Sequence, residues 1–106
     1  MTVIETAIIG TLRSLLSQRL QGYSLTMFGS RARGDADAQS DLDILVIVDG
    51  AEDYDLSTFV YDCAYDAGLE YGILLNTVVV SRDRWQHSPE RSSLLAQAIR
   101  REGVAV

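Results

Sequence analysis

A small α/β sandwich with a mixed sheet is predicted by three features of this 106-residue chain. Runs rich in apolar or β-branched residues stand at 23–28, 42–48 and 73–81, and segments of helical periodicity separate or flank them. The middle run, LDILVIV, is apolar on both alternating faces beyond its aspartate, as in a central strand covered on both sides. The link between Ser30 and Asp41 holds only ten residues. That is too short for a parallel crossover with its helix, so the first two strands are predicted to be antiparallel neighbours.

Taken in order, residues 3–21 place Ile4, Ile8, Leu12, Leu15, Leu16 and Leu20 at helical spacing, which predicts an amphipathic helix stopped by Gly22. Residues 23–28 form a short strand closed by Gly29-Ser30, and residues 31–40, without apolar period, read as a loop with room for one helical turn. After strand 42–48, Asp49-Gly50 makes the turn. Asp53 or Asp55 caps the next helix. Leu56, Phe59, Val60, Cys63, Ala64 and Ala67 are its inner stripe, and Gly68 or Gly72 ends it. Tyr54, Tyr61, Tyr65 and Tyr71 cluster around this helix and are expected mostly to pack with their hydroxyls in water, some forming a partner-binding face. ILLNTVVVS, 73–81, is the third strand. Trp85 anchors the following turn. Ser88-Pro89 opens a last helix that ends near Arg101 or Glu102. Gly103 stops it, and residues 104–106 add a short edge strand.

One domain over residues 1–106 is expected at this length. With 47% apolar and 23% charged residues and a mean hydropathy of +0.07, the composition is that of a globular protein. The single cysteine, Cys63, leaves no internal disulfide and fits a reducing compartment. The N-terminus lacks the basic start of a signal peptide, and no apolar run approaches the roughly 18 residues of a membrane span. A cytoplasmic protein is expected, without a membrane partner. Net charge is −6, lysine is absent, and residues 35–80 hold eleven acids and no arginine. Such a surface repels a phosphate backbone, so long nucleic acid is not an expected partner. His87 is expected at the surface and Cys63 in the core.

The chemistry concentrates in FGSRARGDADAQSDLDILVI, residues 28–47. Asp41 and Asp43 lie two apart on a strand and point to one face. Two carboxylates that close repel unless a cation intervenes, and Mg²⁺ prefers a couple of carboxylates with phosphate oxygens and water. Gly29 lets a phosphate approach the backbone, and Ser30 offers a hydroxyl and an N–H to an anion cradle. Arg31 and Arg33 carry planar positive charge suited to phosphate oxygens. Phosphates and metal at one sheet edge are the equipment of metal-assisted phosphoryl or nucleotidyl transfer. An EF-hand loop starting at Asp35 would need Gly and Glu where Ser40 and Val46 stand. Arg33-Gly34-Asp35 spells the cell-adhesion tripeptide by chance.

Gly29-Ser30, ten residues, then Asp41-Leu42-Asp43 resembles the signature of the polymerase-β-like nucleotidyltransferase superfamily. The longer GSRARGDADAQSDLDILV resembles its smallest members, the minimal nucleotidyltransferases. The resemblance implies a mixed sheet flanked by helices, ATP as substrate and two Mg²⁺ ions held by three carboxylates. It also implies an antitoxin that attaches AMP to a tyrosine of a HEPN-domain toxin, its partner. Gly29, Ser30, Arg31 and Arg33 would bind the nucleotide, and Asp41 and Asp43 the metal. The family's third carboxylate lies on a later strand. ILLNTVVVS holds no acid, and Leu74 or Asn76 occupies that register. Glu70 is the nearest substitute as the third catalytic carboxylate, with Asp66 one helical turn earlier. The alternative is a non-catalytic antitoxin that neutralises its partner by contact. Small-molecule nucleotidyltransferases use an added acceptor domain, which points here to a protein acceptor. Assembly as a homo- or hetero-oligomer stays open.

Overall fold

The computed structural model describes residues 1–87 and 93–106. The elements run α1 (Val3–Leu16), β1 (Tyr23–Phe28), α2 (Gly29–Arg33), β2 (Leu42–Val48), α3 (Tyr54–Leu69), β3 (Leu75–Ser81), α4 (Arg82–His87), α5 (Leu94–Glu102) and β4 (Val104–Ala105). The strands form one sheet in the order β3-β2-β1-β4. β1 is antiparallel to both β2 and β4, while β2 and β3 are parallel, so the sheet is mixed and the short β1–β2 link joins antiparallel neighbours as predicted.

β2 owes its central place to its double apolar face. Leu42, Ile44, Val46 and Val48 pack with Ile8, Leu12 and Leu16 of α1 and Val60, Ala64 and Ala67 of α3. Leu45 and Ile47 point the other way, to Val80 and Ile99, with Phe28, Val78 and Trp85 against them. Each such side chain contributes about 2 kcal/mol by leaving water. A carboxylate can therefore stand only at the mouth of this strand.

Several boundaries differ from expectation. α1 stops at Leu16 because Gln18 and Arg19 donate to the carbonyls of Leu15 and Leu16, tightening the chain out of the α-helix. Leu20 still packs on the core. At the other end Thr2 caps α1 in a capping box with Glu5. Asp53 caps α3 through the Leu56 N–H. β3 starts at Leu75, since the Ile73 N–H is still bound to the Gly68 carbonyl. A Cβ on Gly68 would lie 2.0 Å from the Ile73 oxygen, so that turn requires glycine. Trp85 sits in the short α4, with the Arg100 guanidinium 4.4 Å above its ring. Ser88 and Pro89 lie outside the described residues, and Ser93 caps α5 through the Ala96 N–H.

Cys63 is buried on the α3 stripe, and burial, with Asp66 and Asp62 nearby, pushes its thiol up. His87 is exposed and meets Asp83. The tyrosines correct the expectation of packing: Tyr54, Tyr61, Tyr65 and Tyr71 are all exposed. The first three lie on the arc of α3 opposite the Leu56, Val60, Cys63 and Ala67 stripe. Among the described residues no helix is long and apolar enough to cross a membrane.

Candidate functional site

Strand pairing brings the site together. Phe28 lies opposite Asp43 across the antiparallel pair, and Asp43 lies opposite Asn76 across the parallel one. The end of β1 and the starts of β2 and β3 thus meet at one sheet edge. Asp41 and Asp43 share the face that carries Leu45 and Ile47 deeper in the strand. The Asn76 Nδ2 donates to Asp41 Oδ2 and Asp43 Oδ1, both at 3.1 Å. One amide bridges the two carboxylates.

Gly29 closes the other side. Its φ of +76° is in the left-handed region. A Cβ there would stand 2.2 Å from Asp43 Oδ2. No other residue permits this approach of backbone to carboxylate. α2 begins at Gly29 itself, and its extended N-cap, Phe28, provides no side-chain acceptor. The N–H groups of its first turn are left without a side-chain cap, and half-buried Ser30 adds a hydroxyl.

The two arginines are placed differently from the predicted phosphate contacts. The Arg31 side chain is 6% exposed and turns inward. It donates to Glu5 Oε2 at 2.9 Å, the Ser40 carbonyl at 2.9 Å and the Ala38 carbonyl at 3.3 Å. Its charge is thus spent on tying the loop before Asp41 to the start of α1. Burial works to raise the Glu5 pKa. The Thr2 N–H and the Arg31 guanidinium outweigh that and hold it below the usual carboxylate value. Arg33 reaches Asp35 at 3.1 Å and Glu102 at 3.3 Å, bracing α2 against α5. Glu5 was missed as a site-supporting residue. The Thr2-x-x-Glu5 spacing shows its capping role, but nothing local shows its ion pair with a residue 26 positions away. A cavity of about 450 Å³ opens beside this pair, lined by Met1, Thr2, Gly34, Ala36, Asp37 and Ala38 as well.

Glu70 does not complete the carboxylate set. It is the C-cap of α3, exposed, and its N–H is spent on the Gly68 carbonyl. Among the described residues no three His, Cys, Asp or Glu side chains are grouped to hold a metal ion, so neither Glu70 nor Asp66 joins the pair. The register that Leu74 or Asn76 was expected to fill falls to Asn76, while the Leu74 carbonyl accepts from the Leu42 N–H. Asn is depleted in strands, and one inside a β-branched run was the available signal. Two carboxylates bridged by an amide, beside a cradle a Cβ would fill, offer hard oxygen donors. They fit a Mg²⁺ ion that takes its remaining oxygens from phosphate and water.

Residues 9–99 match a family model described as a nucleotidyltransferase domain. A protein of Methanocaldococcus jannaschii that carries the name protein adenylyltransferase is 35% identical over 75 residues, which cover 71% of this chain and 68% of that protein. A crystal structure of a toxin-antitoxin with AMP-PNP superposes with a TM-score of 0.59 at 19% identity, over 91% of this chain and 69% of that one. A protein of Sulfolobus solfataricus described as a nucleotidyltransferase gives 0.50 at 17% identity, over 99% and 86% of the two chains. At these identities the two solved structures speak for the fold, a mixed sheet with flanking helices.

Proposed function

The chain belongs to the nucleotidyltransferase domain family, and on that footing we propose that it transfers AMP from ATP to a tyrosine of a HEPN-type partner toxin, as the antitoxin of the pair. The observation that carries this reading is the Asp41–Asp43 pair, bridged by Asn76, against the Gly29-Ser30 turn. The M. jannaschii relative supports a protein acceptor, and the toxin-antitoxin structure with AMP-PNP supports the partner and nucleotide classes. The reading includes a single minimal domain over residues 1–106 working in the cytoplasm.

In this reading the Gly29 and Ser30 N–H groups and the Ser30 hydroxyl hold phosphate oxygens. Asp41 and Asp43 would hold Mg²⁺, which would supply charge neutralisation for the transfer. The tyrosine oxygen bonds to the α-phosphorus as the bond to the pyrophosphate oxygen breaks, and alignment provides much of the rate. Asp41, exposed at the strand mouth, can take the tyrosine proton on its carboxylate. Arg33 is engaged by Asp35 and Glu102, and Arg31 supports the loop from behind.

The partner face we propose is α3 and the turn after it. Tyr61, Tyr65, Leu69, Tyr71 and Leu74 are exposed there among Asp62, Asp66 and Glu70. Leu74 adjoins the strand that carries Asn76, so the face leads to the site. Acids around exposed aromatics suit a basic partner surface. A second reading, neutralisation by contact alone, is favoured by one observation: an amide stands at the third position of the site. Incubating the chain and its partner with ATP and Mg²⁺ distinguishes the two. Transfer adds multiples of the AMP mass to the partner, and Asp41→Ala abolishes the addition. Neutralisation that persists in Asp41→Ala, with no mass added by the wild type, overturns transfer in favour of contact.

A further inference from the structure

We infer that Asn76 is a two-state metal ligand, whose amide holds the carboxylate pair together without a cation and turns to offer Oδ1 when one binds. The inference rests on the metal site of the proposed function, but not on AMP transfer. Only the nitrogen end of an amide can donate, and here it donates to both Asp41 Oδ2 and Asp43 Oδ1 at 3.1 Å. The opposite orientation sets a carbonyl dipole against two carboxylates, so without a cation Nδ2 must face inward. A divalent cation between the carboxylates reverses the sign of the field at that point. Nδ2 then meets a positive charge, and a half-turn about the last side-chain bond brings Oδ1 to it. That bond is soft and nearly two-fold, and Asn76 is exposed, so no packing opposes the turn.

Two consequences follow. The apo site is preassembled, because the amide offsets the repulsion that would part the carboxylates. The metal-bound site carries two formal negative charges rather than three, and oxygen sites weaken as ligand charge falls. The protein thus exchanges affinity for a site that keeps its geometry when empty.

Asn76 is the only asparagine in the chain, so selective ¹⁵N-asparagine labelling yields one side-chain amide signal pair. Adding Mg²⁺ without nucleotide should shift that pair and speed its proton exchange, as the two carboxylate bonds are released. Electron-spin titration with Mn²⁺ should show Asn76→Leu binding about tenfold more weakly than wild type and Asn76→Asp about tenfold more tightly. In chelator, Asn76→Asp should have the lowest melting temperature of the three, with Mn²⁺ restoring it most. Asn76→Leu binding Mn²⁺ as tightly as wild type would show that the amide merely occupies the cation's place. Mg²⁺ binding seen by calorimetry with an unmoved amide signal would show that it never turns. Either result overturns the inference, and neither touches AMP transfer.

Discussion

Gly29 and Asp43 are the closest test of the site at the residue scale. The backbone of Gly29 passes so near Asp43 that even a methyl group would overlap its carboxylate. Gly29→Ala should lose about 1–2 kcal/mol in urea unfolding, from the left-handed backbone alone. It should also push Asp43 aside and weaken Mg-ATP binding. Gly34→Ala is the control. Its φ of +81° carries the same backbone cost, but nothing lies within 4 Å of its Cβ. It should lose similar stability and keep its nucleotide affinity. Equal nucleotide affinity in both variants would detach Gly29 from the site. Glycine, serine and the two aspartates were legible in the sequence because their spacing is local and the strand period fixes their common face. The inward turn of Arg31 was not legible. It depends on Glu5, which reaches it only once α1 has packed on the sheet.

Among the elements, the two neighbouring strands β1 and β2 were legible to the residue, since alternation and turn residues bound both ends. α1 was overestimated because Leu20 keeps the helical period by packing on the core from a turn. The start of α1 and the loop leading to Asp41 are held by the Glu5–Arg31 pair, with side chains only 5% and 6% exposed. Glu5→Gln keeps the capping box but leaves the Arg31 charge buried without its partner. It should cost roughly 3 kcal/mol, read by chemical unfolding. The pH dependence follows from the direction of the Glu5 shift. Its folded pKa lies below the ordinary 4.5, so the pair's contribution is complete above that value. It is lost as pH falls through the lower, folded value. Wild type should therefore lose stability over that acid range more steeply than Glu5→Gln. Parallel acid limbs for the two proteins would show that the pair carries no net stabilisation.

On the scale of the whole molecule, the sheet presents its two faces to different tasks. One face seals the main core against α1 and α3, and the other, under Trp85 and Ile99, ends at Asp43. The outer arc of α3 stays polar and aromatic, which the helical period foretold for Asp62 and Asp66 but not for the exposed tyrosines. Tyr has an apolar ring and a polar tip, and sequence alone does not say which side of a helix surface keeps it dry. The edge where β1, β2 and β3 meet is proposed to bind nucleotide through the paired carboxylates. Calorimetric titration of Mg-ATP into the wild-type chain and into the folded Asp41→Asn/Asp43→Asn double variant tests it most directly. Binding in the wild type should fall at least about tenfold in the double variant. Equal affinity in the two proteins would contradict it.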